Sequence, residues 1–234
     1  MFLSNINSLE LFKKTLWFSL YVQIVTGIIN FLVLFIKIPI ESYILKELLV
    51  LELIVQIIES AFYVWLVYNY KDITNVTIHR YVDWFFTTPT MLITLIAYLI
   101  YLDYSENEGK TPIPRLMNIL HDNQDTVLWI LGLNALMLFF GALGELNYLY
   151  PFLSFSLGFI PFFIYFKTIY ENYAIRTERG QQIFGLFFIV WTLYGVASFF
   201  PYLWKNISYN LLDIFSKNIF GFYLSYLVVL SSFS

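Results

Sequence analysis

The 234-residue sequence contains no cysteine, only two histidines (His79 and His121), and only 12% charged residues. The missing cysteine excludes a disulfide frame and any thiolate-held zinc or iron–sulfur centre. Two histidines are too few for a histidine-rich metal site, and no metal is expected. Soluble domains carry about 25% charged residues, roughly twice the share found here. The net charge of −3 holds no basic excess, which argues against a nucleic-acid partner. What is abundant is apolar: 59% of the residues are hydrophobic and 21% are aromatic. A chain so rich in aromatics and poor in charge is not disordered. Folded in water at this length, it would expose large apolar patches. The sequence is that of a multi-pass integral membrane protein, with lipid as its surroundings.

A membrane-crossing helix needs about 20 mostly apolar residues. Stretches of that kind lie near 15–36, 48–68, 76–102, 127–146, 151–170, 183–203 and 207–230. The predicted fold is therefore an all-α bundle of seven transmembrane helices, one domain over 1–234. The breaks at 37–39, 69–72, 105–125, 147–151 and 171–179 carry loop residues, and no internal repeat is visible. Lys13 and Lys14 disfavour a cleaved leader, so the first span is expected to be retained. With the N-terminus outside, inner segments hold seven basic residues: Lys37, Lys46, Lys110, Arg115, Lys167, Arg176 and Arg179. Outer segments hold four: Lys13, Lys14, Lys71 and Lys205. This bias predicts an outside N-terminus and a cytoplasmic C-terminus. Sequons begin at Asn75 and Asn206, both against the membrane.

Seven ionisable residues fall inside the spans: Glu52, Glu59, Arg80, Asp83, Glu145, Asp213 and Lys217. Each costs about 2.5–3.5 kcal/mol or more near mid-membrane, so each is a functional candidate. Arg80 and Glu145 lie near span ends, where a long side chain can reach the interface. Lys217 lies well inside the seventh span, with Asp213 one turn earlier on the same face. Asp83 and Asp213 are each about 10 Å in from the end of their helices, with Lys217 about 6 Å deeper. Taken alone, Asp213 and Lys217 read equally well as a structural ion pair. Arg80, Asp83 and Thr87 share one face of the third span. Two carboxylates, an arginine and a protonated amine sum to zero, which is a counterion cluster.

These residues carry a family resemblance. Arg80-Tyr-Val-Asp83-Trp84-Phe-Phe-Thr87-Thr88-Pro89, Trp191-Thr-Leu-Tyr194 and Asp213-x-x-x-Lys217 resemble the microbial rhodopsins in motif and order. The resemblance implies all-trans-retinal on Lys217 as a protonated Schiff base, in a photoreceptor rather than an enzyme. It implies Asp83 as counterion and proton acceptor, with Asp213 as the second member. Arg80 would steer charge, and Thr87 would hydrogen-bond near Asp83. Trp84, Thr88, Trp191 and Tyr194 would line the retinal slot; without Lys217 they would read as ordinary core aromatics. Gly195 departs from the proline usual after that tyrosine.

Outward proton pumps of the family usually carry a carboxylate where this chain has Thr94. Threonine cannot deliver a proton at neutral pH as a carboxylic acid does, although it can simply bond its i−4 carbonyl. In the second span Glu52 and Glu59 share a face about 10.5 Å apart, and read as constrictions of a cation path or as protonated packing groups. Glu59 and Asn218 resemble the central gate of channelrhodopsins, with Ser19 as a first-helix member, and Glu52 falls near the inner gate. The two glutamates, with Asp213-Ile-Phe-Ser-Lys-Asn218 and Asn210, resemble the giant-virus rhodopsins of the light-gated channel group. The expected function is a light-gated cation channel. The alternatives are an outward proton pump with slow reprotonation and, behind it, a photosensory rhodopsin. Assembly into a homo-oligomer is compatible with the sequence.

Overall fold

The computed structural model describes residues 2–71, 75–106 and 113–233. Lys110 and Asp72, used above in the charge bias and the loop pattern, lie outside the described residues. The elements are α1 (Phe2–Val33), α2 (Ile44–Asn69), α3 (Val76–Glu106), a short α4 (Leu116–Asp122), α5 (Gln124–Glu145), α6 (Pro151–Asn172), α7 (Glu178–Ala197), α8 (Tyr202–Asp213) and α9 (Ile219–Ser231). A single π turn, Ile214–Asn218, joins α8 to α9 within the seventh span. Among the described residues, seven helices are long and apolar enough to cross a membrane, as the hydropathy predicted.

The helices close a ring: α1 packs on α2, α2 on α3, α3 on α5, α5 on α6, α6 on α7, α7 on α8, and α8 with α9 on α1. Large aromatics such as Trp17, Phe18, Phe31, Phe86 and Phe139 face outward, whereas Gln23, Asn30, Glu52, Gln56 and Asn218 are buried. That inversion suits a lipid solvent, where apolar surface costs nothing and polar side chains must find partners inside.

Prolines set several boundaries. Pro151 opens α6 at its first turn, where its missing N–H leaves no bond unmade. Pro201 caps α8 and ends the preceding span early. The sixth span was expected to run to 203; α7 stops at Ala197, and Leu203 belongs to the next helix. Thr177 caps α7, its hydroxyl accepting from the Gly180 N–H at 3.0 Å. The π turn matters most for the site. Its wider winding turns three consecutive residues, Ser216, Lys217 and Asn218, into the bundle, with 6%, 1% and 0% exposure.

Candidate functional site

The two ends of the bundle are distinguished here by the chain: the N-face carries the start of α1, the C-face carries the C-terminus. Midway between them, Lys217 Nζ donates to Glu59 Oε1 at 2.7 Å, Asp83 Oδ2 at 3.1 Å and Asp213 Oδ1 at 3.2 Å. The structure thus brings Lys217, Asp83 and Asp213 together and adds Glu59, which the sequence had placed in a gate with Asn218 rather than against the lysine. Electroneutrality changes with it. Three carboxylates face two cations, Lys217 and Arg80, so full ionisation would leave one uncompensated buried charge. Asp213 has donors on both oxygens: Lys217 and Tyr194 on Oδ1, Arg80 and Tyr63 on Oδ2. Glu59 Oε2 and Asp83 Oδ1 have no hydrogen-bond partner among the described residues. The balancing proton therefore belongs to Glu59 or Asp83.

Toward the N-face, Arg80 does not reach an interface as a span-end charge would. It is fully buried, bonding Asp213 Oδ2 at 3.1 Å, Asn206 Oδ1 at 3.1 Å, Tyr63 at 3.4 Å and, through Nη2, Asn210 Oδ1. Asn206 Nδ2 donates to Thr77 and to the Tyr202 carbonyl with its side chain wholly buried. The sequon at Asn206 is thus spent on packing, and a glycan there is incompatible with this fold. Asn75 Nδ2 donates to the Glu145 carbonyl at 3.3 Å. Glu145 itself pairs with Lys205 at 2.6 Å.

Thr87 donates to the backbone carbonyl of Asp83 at 3.0 Å, and two other residues, Ser19 and Asn218, have partners other than those expected. A threonine in a helix interior finds its i−4 carbonyl first, and Thr88, Thr90 and Thr94 do the same. Ser19 does not join Asn218; it donates to the Asn210 carbonyl at 2.8 Å, on the N-face side of Lys217. Asn218 does not meet Glu59 through a hydrogen bond either. Its Nδ2 lies 2.9 Å from Gln23 Oε1, 2.9 Å from Thr26 Oγ1 and 3.0 Å from Gln56 Oε1.

Gln23, Thr26, Gln56, Asn30 and Ser225 were missed in the sequence, and together they form the C-face half of the site. Ser225 donates to Asn30 Oδ1 at 2.9 Å. A signal was present: Ser19, Gln23, Thr26 and Asn30 repeat at four, three and four residues, as do Glu52, Gln56, Glu59 and Tyr63. Both are polar stripes of helical period on otherwise apolar spans. Glu52 lies in the second stripe, wholly buried and beside Thr94.

A cavity of about 360 Å³ runs from Lys217 between α3, α5, α6 and α7. Trp84, Thr88, Met91, Met137, Phe162 and Trp191 are among its walls, and Tyr194 and Ser216 flank the lysine. Trp84 stands edge-on to Tyr194 and Tyr209, at 5.5 and 5.1 Å between ring centroids. Asn134 holds the Thr88 hydroxyl at 2.8 Å. An amine at one end of an apolar aromatic slot suits an aldehyde-tipped polyene. Retinal fits these residues, and Lys217 is the side chain that would hold it.

The comparisons with known proteins agree with that chemistry. Residues 14–231 match the bacteriorhodopsin-like protein family. The fold superposes on the crystal structure of the viral rhodopsin OLPVRII with a TM-score of 0.78 at 27% identity, covering 93% of this chain and 97% of that one. It also superposes on xanthorhodopsin, a light-driven ion pump with dual chromophore (TM-score 0.72, 16% identity, 97% and 95% covered). A third similar fold is a bromide-bound halorhodopsin from Halobacterium salinarum (TM-score 0.69, 12% identity, 96% of each chain). A search of the curated proteins finds no match. A match spanning nearly all of the chain, on a seven-helix bundle with a buried lysine at the end of an aromatic slot, places this protein in the bacteriorhodopsin-like family, the microbial rhodopsins: multi-pass membrane proteins that bind retinal and act in photoreception or ion transport.

Proposed function

We propose that the protein is a light-gated cation channel whose pathway follows α1, α2 and the seventh span. The carrying observation is the polar stripe that these helices share. From the N-face it runs through Thr15, Ser19, Asn210, Tyr63 and Arg80 to the carboxylates around Lys217. It continues through Asn218, Gln23, Thr26 and Gln56 to Asn30 and Ser225. Along its C-face half, Gln23 Nε2, Asn30 Nδ2, Gln56 Nε2, Asn218 Oδ1 and both Glu52 oxygens are buried without partners. Buried polar atoms are normally satisfied, and an unsatisfied row of them through a membrane protein is wall chemistry for water and cations.

On this reading, retinal enters as the all-trans isomer on Lys217 and supplies light absorption and a change of shape. Asp83 and Asp213 serve as counterions with Glu59 beside them. Thr88, Trp84, Trp191 and Tyr194 orient the polyene, and Arg80 closes the N-face side. Glu59 and the Asn218 cluster form successive closures, and Glu52 forms the next one toward the C-face. The N-terminus lies outside. The second reading is an outward proton pump, favoured by Asp83 as an acceptor 3.1 Å from Nζ.

Photocurrent decides between them. In a planar bilayer or voltage-clamped cell, a channel's current reverses near the equilibrium potential of its cation and follows exchange of that cation. A current that stays outward at all voltages and ignores the gradient would establish the pump. Because Glu59 lies 2.7 Å from Nζ, Glu59→Gln is expected to change both conductance and colour.

The departure at position 195 has a steric cause that gives a second test. A Cβ built on Gly195 would overlap the Phe159 ring and lie 3.3 Å from Phe155. Phe159 thus occupies the room that a larger residue would need, and it lines the cavity. Gly195→Leu is expected to drive Phe159 into the slot and reduce retinal uptake, and adding Phe159→Ala should restore it. Pigment absorbance per mole of protein measures this; full uptake by the single variant would refute it.

A further inference from the structure

We propose that retinal reaches Lys217 from the N-face, through an arm of the cavity that the Lys205–Glu145 ion pair latches. The cavity does not end at the aromatic slot. On α6 its walls run from Phe162 to Pro151, about 16 Å toward the N-face. On α5 they run from Met137 to Glu145, and Asn147 and Pro151 stand exposed at the rim. The arm differs from the slot in chemistry, with Glu145, Ser154, Ser198 and Lys205 among its walls. A chromophore held on Lys217 needs the apolar slot, not a polar extension that opens at the helix ends. Unfilled space forfeits packing contacts, yet two glycines keep the arm open. A Cβ on Gly141 would lie 2.5 Å from the Tyr81 hydroxyl, and one on Gly144 would overlap Ser154. Either would press a wall side chain into the arm.

The other way in would be sideways from lipid, between α6 and α7. That side is shut. Phe199, Phe155, Phe159, Phe162 and Phe188 form a continuous ladder there, with successive ring centroids 4.6, 4.1, 5.0 and 5.6 Å apart. The N-face arm is crossed instead by one ion pair, Lys205 Nζ to Glu145 Oε1 at 2.6 Å, whose side chains keep 13% exposure each. It ties α8 to α5, and two long side chains can part without any helix moving. Tyr148, Tyr150, Phe152 and Trp204, the sequence neighbours of the rim residues, are exposed. Aromatics so placed belong at the bilayer interface. A polyene aldehyde dissolved in lipid holds its polar carbonyl at that level, so the end that Lys217 must meet comes to the mouth first.

This inference rests on retinal being held at Lys217, but not on the direction or passivity of ion flow. The test gives all-trans-retinal to the full-length apoprotein in lipid vesicles and follows growth of the visible band. The rate reports entry and the final absorbance reports the slot. Lys205→Met is expected to raise the rate about threefold or more at unchanged final absorbance, the scale of one partly exposed ion pair. Lys205→Glu combined with Glu145→Lys should return the rate to that of wild type, which a general loosening of the bundle would not do. The chain has no cysteine, so Pro151→Cys puts a single thiol at the rim. A bulky maleimide there should slow uptake, whereas the same reagent on Phe152→Cys, outside the arm, should not. A second readout needs no pigment: in the apoprotein, Ser198→Cys should react with a charged, membrane-impermeant thiol reagent, and faster when Lys205→Met is added. A wild-type rate in Lys205→Met, an exchanged pair as fast as Lys205→Met, uptake indifferent to the label at 151, or an unreactive thiol at 198 would each overturn the proposal. Faster uptake in Phe188→Ala with Lys205→Met unchanged would move the entry to the lipid side. A wild type that never takes on colour would overturn the attachment reading itself, and this proposal with it.

Discussion

Lys217→Ala is expected to insert into the membrane and remain colourless with all-trans-retinal, a complete loss of the visible band. Condensation with an aldehyde needs an amine at the end of the slot, and two lysines line the cavity, Lys217 and Lys205. They differ in what surrounds them. Lys205 is paired with one carboxylate, Glu145, where both side chains keep 13% exposure. Lys217 faces three carboxylates at 2% exposure, beside the aromatic walls. A cation attached to a polyene needs the second setting, because buried charge must be matched locally. Lys205→Met should therefore keep its colour. Lys217→Ala also strips the carboxylates of a cation, so Lys217→Arg serves as the control that keeps the charge but forms no imine. Adding a retinal imine of a small free amine to Lys217→Ala should restore absorption, since the slot survives. A visible band in Lys217→Ala without added amine would refute the assignment.

Much of this site was readable before any coordinates. Asp213 and Lys217 are one turn apart and Arg80 and Asp83 three residues apart, so helical periodicity alone put each pair on a face. The apolar composition fixed that those faces look inward. What the sequence could not supply was contact between helices. The resemblance to channelrhodopsins put Glu59 and Asn218 in one gate, yet Glu59 turns to the lysine and Asn218 to Gln23, Thr26 and Gln56. The π turn decides this, because it points residues 217 and 218 inward side by side, and a local winding change of one residue leaves no periodic trace. Glutamine and asparagine on α1 and α2 were overlooked for a simpler reason. An uncharged amide barely lowers the hydropathy of a long span, although its burial makes the same demand for partners.

The second large effect concerns stability, and it should be asymmetric. Among the described residues Arg80 has one carboxylate contact, Asp213, within a shell of neutral partners: Asn206, Asn210, Tyr63 and the rings of Phe62, Tyr63 and Tyr209. Asp213 is better supplied, with Lys217, Tyr63 and Tyr194 remaining if Arg80 is lost. Lys217, in turn, keeps Glu59 and Asp83 if Asp213 is lost. Asp213→Asn therefore strands one charge, the guanidinium, at zero exposure. Removing one partner of a buried ion pair costs about 3–5 kcal/mol for that reason. In Arg80→Met, Asp213 keeps three donors and one more proton on Glu59 or Asp83 restores neutrality, so the loss is chiefly of hydrogen bonds, about 1–3 kcal/mol where buried acceptors are left unfilled. The double variant should cost less than the two single losses together, because the stranded charge is gone. Thermal loss of helical circular dichroism in a mild detergent, for the apoprotein so that retinal binding does not intrude, measures all three. Equal losses for Asp213→Asn and Arg80→Met, or strict additivity in the double variant, would mean that Asp213 is not the counter-charge of Arg80, and that the N-face closure is held by the asparagines instead.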